Sequence, residues 1–310
     1  MQPRKQVAFE RFPLTPEEHH REQTLREHFA HFWATASGPQ RETYDRFIGA
    51  TPLADGVHFE ALQAAHVAGW WARPVDTTPG HVILYIHGGG YVQGSAWGYR
   101  HFASQLASRT QTSVLVIDYP LAPEAQVRQA ADAVLAAWHW LLDQGHTRIA
   151  VVGDSAGGGL ALALLARLAA EAQQPQPVAG VAFSPWADLS FSGPSMTDAK
   201  VVDPLIGHAY LQQCARQYLG DVDPRDPLAS PLFADLDGLP PLLLQVGSDE
   251  RLLDDACQFA ERAQQAGVDA RLELWEGLHH VFQLDVAHLA SSRQALDRAG
   301  AFLRQALQAV

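Results

Sequence analysis

The first strong pattern along the chain is a helical one. Residues 15–34 carry apolar side chains at helical spacing, namely Leu25, Phe29, Phe32 and Trp33. Thr15 and Glu18 form a capping-box pair and Pro16 takes the first helical position, which predicts that a helix begins there. A helix with one apolar stripe has to pack that stripe against another part of the protein.

From about residue 57 the pattern changes to an alternation of strand-like and helix-like segments. Eight strands are predicted, at residues 57–73 (two strands), 81–86, 113–118, 148–153, 178–184, 241–247 and 270–275. Helices are predicted at residues 98–110, 126–144, 156–173, 252–266 and 285–308. This alternation is typical of a mostly parallel sheet with helices on both faces, and it places the chain in the α/β class.

Residues 188–240 interrupt the alternation. The segment is rich in proline and holds one helix-like stretch near residues 208–219. Prolines at this density break regular elements, so the segment is predicted to be an insertion between two strands.

Charge and hydropathy exclude several classes of function. The chain has 22 basic and 34 acidic residues and a formal net charge of −12, which argues against a protein that binds nucleic acid through phosphates. The first twenty residues lack the apolar run of a secretory signal, and no later segment approaches 18 uninterrupted apolar residues. We therefore expect a cytoplasmic protein with no membrane partner.

The cysteines and histidines give no sign of a metal site. Cys214 and Cys257 are too few for a disulfide framework and are expected to be reduced. The fifteen histidines include two adjacent pairs, but adjacent side chains point in different directions and no HExxH motif is present. His19, His20, His28 and His31 are expected to be solvated surface residues.

The strand predicted at residues 148–153 ends in GDSAGG, residues 153–158, and a helix follows at once. Glycines two residues before and after Ser155 permit a tight strand-to-helix turn that a Cβ would block. Open parallel sheets place their sites at this end of the strands, so Ser155 is a candidate nucleophile. The amide of Ala156 lies at the helix start, where the dipole favours negative charge. An ordinary glycine turn is the alternative for GxSxG taken alone.

The strand predicted at residues 81–86 ends in a histidine and three consecutive glycines, Gly88, Gly89 and Gly90. Backbone without side chains lets N–H groups approach the oxyanion that forms when Ser155 attacks a carbonyl group. A flexible hairpin and a phosphate-binding turn are the alternatives. Neither the GxGxxG spacing nor a following GKS or GKT is present to support phosphate binding.

A serine hydroxyl needs a base, and the base needs an orienting acid. Downstream, LLLQVGSDE ends one predicted strand with Asp249 and Glu250, and LELWEGLHHVF ends the next with His279 and His280. The order serine, acid, histidine is the one expected along an α/β-hydrolase sheet, so three strand ends are predicted to meet at one triad. The order alone leaves both acids and both histidines open.

Four ordered motifs together resemble the hormone-sensitive-lipase-like branch of the α/β-hydrolases, the bacterial acetyl esterases and short-chain carboxylesterases. They are HGGGY at 87–91, DYPLAPE at 118–124, GDSAGG at 153–158 and GLHHVF at 277–282. The resemblance runs over roughly residues 60–305. It implies an α/β-hydrolase fold with a mostly parallel eight-stranded sheet, flanking helices and a helical cap.

The resemblance also implies roles for individual residues. Ser155 matches the nucleophile, and Gly89, Gly90 and Ala156 match the oxyanion-hole amides. His280 matches the base, because the family spacing G-x-x-H-x-F counted from the glycine of GLHHVF ends on it. The preceding histidine is the less favoured alternative.

The acid is where the chain departs from the usual family pattern, D-P-L-x-D-E. Aligning Leu252, Asp254 and Asp255 with that pattern puts Glu250 on the catalytic aspartate, so Glu250 is favoured over Asp249. A glutamate can do the same work if its longer side chain still reaches the imidazole.

The family further implies a cap over the triad. We expect residues 1–55 and 188–240 to form its two parts, and residues 56–187 and 241–310 to form the two parts of the hydrolase core. Candidates for the pocket lining are Trp97, Trp186, Leu205, Ile206 and Tyr210.

The resulting prediction is a serine carboxylesterase that hydrolyses short- to medium-chain acyl esters through an acyl-enzyme, without metal or organic cofactor. The same triad would serve a lactone, amide or carbamate hydrolase. A non-catalytic small-molecule receptor of the same fold is the alternative from another class, although such receptors have typically lost the catalytic histidine. A homodimer is expected, since enzymes of this family commonly dimerise.

Overall fold

A computed structural model of the chain describes residues 8–171 and 175–309. Residues 1–7 of the predicted cap, residues 172–173 of a predicted helix and residue 310 of the predicted core lie outside the described residues. The strands are β1 (Ala8–Phe12), β2 (Val57–Gln63), β3 (Ala68–Pro74), β4 (His81–Ile86), β5 (Val114–Ile117), β6 (Arg148–Asp154), β7 (Ala179–Phe183), β8 (Leu242–Gly247) and β9 (Ala270–Trp275). The helices are α1 (Pro16–Thr35), α2 (Gln40–Ile48), α3 (Ala96–Thr110), α4 (Val127–Asp143), α5 (Ser155–Ala170), α6 (His208–Leu219), α7 (Leu253–Gln265) and α8 (Ala290–Gln308).

One sheet runs through the described residues, in the order β1-β9-β8-β7-β6-β4-β5-β3-β2. Its pairs are parallel except β2 with β3 and β3 with β5, so the predicted mostly parallel sheet is confirmed. The predicted count of eight strands was wrong, because the sheet has nine. The extra strand is β1, which adds to the edge of the sheet alongside β9.

Strand β1 has little local signal, since its five residues AFERF include two charged side chains. The strand is stabilised by contacts with residues that are distant in the sequence. The ring of Phe12 stacks on that of Trp275 with centroids 4.2 Å apart, and Arg298 forms an ion pair with Glu10. Helix α2 was also absent from the prediction, because it is short and Pro39, the residue before it, provides no side-chain cap.

The central strands are buried on both faces, as expected for a parallel sheet between two helical layers. In β4, Val82, Leu84 and Ile86 face one core, which α4, α5 and α7 cover. Ile83 and Tyr85 face the other core, which α3 and α8 cover. Strands β4, β6, β8 and β9 run in the same direction, so the loops that follow them all leave the sheet at the carboxyl end of the strands. The candidate residues lie at this end.

Two further parts of the chain lie over the carboxyl end of the strands. Helices α1 and α2 precede β2, and the segment 188–240 holds α6 and two short 3₁₀ turns, Pro194–Met196 and Pro231–Phe233. All of residues 188–240 are described and no strand falls among them, as the proline-rich pattern predicted.

Candidate active site

Ser155 lies at the sharp turn between β6 and α5. Its φ of +51° is in the left-handed region, which a non-glycine residue adopts at a cost of about 1–2 kcal/mol. The glycines on either side are required by close packing: a Cβ on Gly153 would lie 2.4 Å from the carbonyl oxygen of Gly157, and one on Gly157 would lie 2.1 Å from that of Ile86. This strained turn places the serine hydroxyl at the carboxyl end of the strands, clear of the sheet.

His280, in the loop after β9, brings the serine and an acid together. Its Nε2 lies 2.9 Å from Oγ of Ser155, and its Nδ1 lies 3.2 Å from Oε1 of Glu250. In the neutral imidazole, a proton on Nδ1 donates to Glu250, which leaves Nε2 free to accept the serine proton. The arrangement can therefore remove a proton from Ser155.

Glu250 is completely buried behind His280. Its second oxygen, Oε2, accepts hydrogen bonds from Oγ of Ser184 at 2.7 Å and from the amide of Gly247 at 3.0 Å. Ser184 also accepts a bond of 3.1 Å from the amide of Val281, directly after the histidine. Ser184 was not predicted from the sequence, although its position directly after β7, in line with the other strand ends, was a signal for it.

The alternative acid and base are bonded elsewhere. Asp249 forms an ion pair of 2.7 Å with Arg26 of α1. His279 lies between Glu22 and Asp285, each 2.9 Å from one of its ring nitrogens. With both nitrogens occupied, His279 has none left to accept a proton from a serine.

The two histidines differ in their surroundings, and so in their pKa values. Burial lowers the pKa of His280, but the hydrogen bond and charge of Glu250, helped by Asp203 and Asp154, outweigh burial and raise it above its ordinary value. For His279 burial again lowers the pKa, and the bonds to Asp285 and Glu22 raise it to about 10. His279 is therefore an imidazolium at neutral pH.

The glycine loop after β4 provides backbone N–H groups beside Ser155. Gly89 and Gly90 have φ values of +116° and +62° and line the same cavity as Ser155 and His280. Within residues 8–171 and 175–309, no backbone hydrogen bond uses the amide of Gly89 or Gly90. Ala156, fully buried, presents its amide in the first turn of α5. Backbone N–H groups beside Ser155 are suited to donate hydrogen bonds to an oxyanion that forms on a substrate carbonyl.

Asp154, next to Ser155, holds the glycine loop in place. Its Oδ1 accepts from the amide of Gly88 at 2.9 Å and from the hydroxyl of Tyr85 at 2.7 Å, and its Oδ2 accepts from the hydroxyl of Tyr99 at 2.9 Å. No role was predicted for Asp154 from the sequence, although it lies inside the GDSAGG motif. Through Asp154 the serine turn and the glycine loop form one unit.

A cavity of about 440 Å³ opens beside Ser155, with largely apolar walls. Of the predicted lining candidates, Leu205, Ile206 and Tyr210 line it. Trp97 and Trp186 are not among its lining residues: the first is half-exposed and the second lies in the core. Helices α1 and α2, which lie in the segment expected to form the cap, also contribute to the lining with residues that were not predicted individually: Trp33, Gln40, Tyr44, Phe47 and Ile48.

The chain is similar to known proteins over most of its length. The family profile described as the alpha/beta hydrolase fold matches residues 83–284. The chain is a member of the α/β-hydrolase family. A crystal structure of an esterase from the bacterial hormone-sensitive lipase family superposes on this α/β hydrolase with a TM-score of 0.86 and 41% identity, covering 95% of this chain and 99% of that one. The resemblance to that branch is confirmed.

Curated relatives of this α/β hydrolase carry esterase names. An acetyl-hydrolase of Streptomyces hygroscopicus is 40% identical over 88% of this chain and 93% of its own length. An ethyl acetate hydrolase of Pseudomonas putida is 33% identical over 68% of this chain and 69% of its own length. In the part of the hydrolase that the structure describes, no helix has the length and apolar composition needed to cross a bilayer.

Proposed function

We propose that this α/β hydrolase is a serine carboxylesterase that cleaves short- to medium-chain acyl esters through Ser155, His280 and Glu250. One observation carries the proposal: a line of hydrogen bonds runs from Glu250 to His280 to Ser155, and its serine end opens into an apolar cavity. The names of the relatives support the same reaction class, since they act as acetyl-hydrolase and ethyl acetate hydrolase.

In the first half of the reaction, Nε2 of His280 takes the hydroxyl proton as Oγ of Ser155 bonds to the ester carbonyl carbon. Glu250 stabilises the imidazolium that results. The carbonyl oxygen becomes an oxyanion, to which the amides of Gly89, Gly90 and Ala156 donate. When the intermediate collapses, the bond to the alcohol oxygen breaks and His280 gives that oxygen its proton. The products are a free alcohol and an acyl-serine.

In the second half, water replaces the alcohol. His280 removes a proton from the water, whose oxygen bonds to the acyl carbon and forms a second oxyanion in the same place. Collapse of this intermediate breaks the bond to Oγ, which takes the proton back from His280. The acid is released and the enzyme returns to its starting state. No step calls for a metal or an organic cofactor.

The cavity supports a small ester as substrate. Its volume of about 440 Å³ lies in the lower half of the range of about 300–1,000 Å³ found for pockets that bind drug-sized molecules. The walls are mostly apolar, so they favour acyl and alcohol groups without charge. The helices α1, α2 and α6, within residues 1–55 and 188–240, are proposed to form a cap over a core of residues 56–187 and 241–310, supported by the cavity residues that these helices contribute. Residues 8–12 depart from the expected cap, because β1 pairs with β9 in the core sheet.

Three expectations from the sequence remain predictions: a cytoplasmic location, a homodimer, and no binding of nucleic acid. The charge of −12 supports the last of them.

The test of the proposed function is the initial rate on p-nitrophenyl acetate, butyrate, octanoate and palmitate, with Ser155→Ala assayed beside the wild type. We expect the highest kcat/KM at acyl chains of about two to eight carbons, and a loss of at least about 10⁴-fold in the variant. Turnover that is absent for all four esters, or equal in the variant, would overturn the proposal. Lactones and amides would then be assayed next, and binding without turnover last.

A further inference from the structure

Helix α1 carries a line of charged side chains on the side that packs against the rest of the protein. Glu18, Glu22 and Arg26 are spaced by four residues, so they lie one above another on the helix. Glu18 and Glu22 are buried, with exposed fractions of 9% and 1%. We call these three residues the polar stripe. Buried charges are costly unless each is paired, so the partners of the stripe are informative.

Glu22 binds the residue beside the catalytic histidine. Both of its carboxylate oxygens lie 2.9 Å from Nδ1 of His279, whose Nε2 lies 2.9 Å from Asp285. His279 is completely buried. An imidazolium between two carboxylates is strongly oriented, because each ring nitrogen donates a charge-assisted hydrogen bond. His280 follows it in the chain, so its backbone position is tied to Glu22.

Arg26 binds the residue beside the catalytic acid. Its guanidinium lies 3.0 Å from Glu22 and 2.7 Å from Asp249, and it donates a hydrogen bond of 2.7 Å to the carbonyl of Val202. Glu250 follows Asp249 in the chain. The two loops also touch directly, since the amide of Asp249 donates to the carbonyl of Leu278 at 3.0 Å.

We propose that Glu22 and Arg26 are positioning residues, which align Glu250 and His280 on Ser155 by binding the side chains that directly precede the acid and the base. This inference rests on the proposed function, because it concerns the same triad. The triad needs such support: its acid and base come from two separate loops, and an error of about 1 Å in their alignment can cost about 100-fold in rate.

The third member of the stripe provides a matched control. Glu18 is buried on the same side of α1, and its carboxylate accepts bonds of 2.7 Å and 2.6 Å from the amide and hydroxyl of Ser291 in α8. These bonds attach α1 to the start of α8, and they involve neither the residue before the acid nor the residue before the base. If the stripe only docks the helix, loss of charge at Glu18 and at Glu22 should have the same effect on activity.

The experiment compares Glu22→Gln with Glu18→Gln at a temperature well below both melting transitions. The readouts are Tm, kcat and KM on p-nitrophenyl butyrate, and the rate of inactivation by phenylmethylsulfonyl fluoride, which reports serine reactivity without the ester. We expect both variants to lower Tm. Only Glu22→Gln should lower kcat and the inactivation rate by about tenfold or more with KM nearly unchanged, whereas Glu18→Gln should keep kcat within about twofold. Equal kcat values in the two folded variants would overturn the inference.

Arg26→Gln is the second variant, in case Glu22→Gln does not fold. The Arg26 side chain is about one-fifth exposed, and its loss leaves the bond between Glu22 and His279 in place. We expect a lower kcat, partly restored in Arg26→Lys, which returns the charge to Asp249. A kcat equal to that of the wild type in Arg26→Gln would contradict the inference. Ser155→Ala is assayed in the same series: if the wild-type turnover does not depend on Ser155, the proposed function itself has failed.

Discussion

Oε1 of Glu250 lies 3.2 Å from Nδ1 of His280, on the opposite side of the imidazole from Ser155. The longer side chain of a glutamate therefore reaches the ring from a backbone position where the family pattern has an aspartate. Ser184 and the amide of Gly247 hold the second carboxylate oxygen, which leaves the first directed at the histidine. In the proposed triad, His280 therefore contacts the serine through one ring nitrogen and the acid through the other.

The adjacent acids should respond very differently to loss of charge. Glu250→Gln removes the carboxylate that, in the proposed triad, orients and stabilises the His280 imidazolium, and we expect kcat to fall by about 10³–10⁴-fold. Asp249→Asn removes a charge that faces Arg26 but keeps an oxygen to accept its hydrogen bond, so kcat should stay within about tenfold of the wild type. Steady-state kinetics of the two variants test this. A larger loss in Asp249→Asn than in Glu250→Gln would show that Asp249 is the acid.

The pH dependence of activity should report the raised pKa of His280. The base works only as neutral imidazole, so kcat/KM should fall as pH drops through that pKa. Because Glu250, with Asp203 and Asp154, outweighs the effect of burial, the acid inflection should lie above the ordinary histidine value of about 6.5.

A profile of kcat/KM against pH gives this inflection. In Glu250→Gln the residual activity should show a lower inflection than the wild type, since burial then acts with less opposition. An inflection at or below about 6.5 in the wild type would argue against a carboxylate-paired base.

Stability should depend on pH through His279. Its pKa is about 10 in the folded protein and about 6.5 in an unfolded chain, so the folded state binds the proton more tightly. The stabilisation is fully present below the unfolded value and is lost as pH rises through the folded value. We therefore expect the free energy of unfolding to decrease between about pH 6.5 and 10.

Denaturant unfolding of the wild type and of His279→Gln across this range isolates the contribution, because other titrating groups are common to both. The slope should be smaller in the variant. His19→Gln, which replaces an exposed histidine of the helix that carries Glu22, is the matched control for the substitution itself. Parallel curves for His279→Gln and the wild type would contradict an imidazolium at this position.

The serine turn should not tolerate a methyl group at Gly157. A Cβ there would lie 2.1 Å from the carbonyl oxygen of Ile86 and 2.3 Å from that of His87, so α5 would have to move away from β4. We expect Gly157→Ala to destabilise the protein by about 1–3 kcal/mol or more, and to lower kcat because Ser155 and the glycine loop separate.

Gly207→Ala is the control for the methyl group itself. Its φ is −93° and a Cβ there would meet nothing within 4 Å, so its effect on stability should be small. Thermal unfolding and kcat of both variants decide the point. Wild-type activity in Gly157→Ala would show that the turn accommodates the methyl group.

Much of the fold follows from local pattern. The central strands have continuous apolar runs, because both of their faces are covered, and the helices between them have clear periodicity. The GDSAGG turn is equally local, since its glycines are required by contacts within a few residues of Ser155 and with the neighbouring strand. The chain order of serine, acid and histidine also indicated which strand ends would meet.

Other features depended on partners that are distant in the sequence. Strand β1 forms because β9 has an unpaired edge with which it can pair. A five-residue segment with two charged side chains does not by itself predict a strand. The cavity residues Trp33, Tyr44 and Phe47 come from helices whose position over the sheet no periodicity specifies. The predicted apolar stripe of α1 is real at Leu25 and Phe29, but the same helix also buries Glu18 and Glu22.

The sequence by itself therefore determined the α/β architecture, the serine turn and the set of candidate triad residues. These features depend on local sterics and on the periodicity of apolar residues, both of which involve residues that are close together in the sequence. Only the tertiary structure decided that Glu250 meets His280 while Asp249 meets Arg26, and that His279 is held between Glu22 and Asp285. Adjacent residues share nearly the same local sequence. What separates their functions is the direction in which each side chain leaves the backbone, and the charge that the folded chain places there.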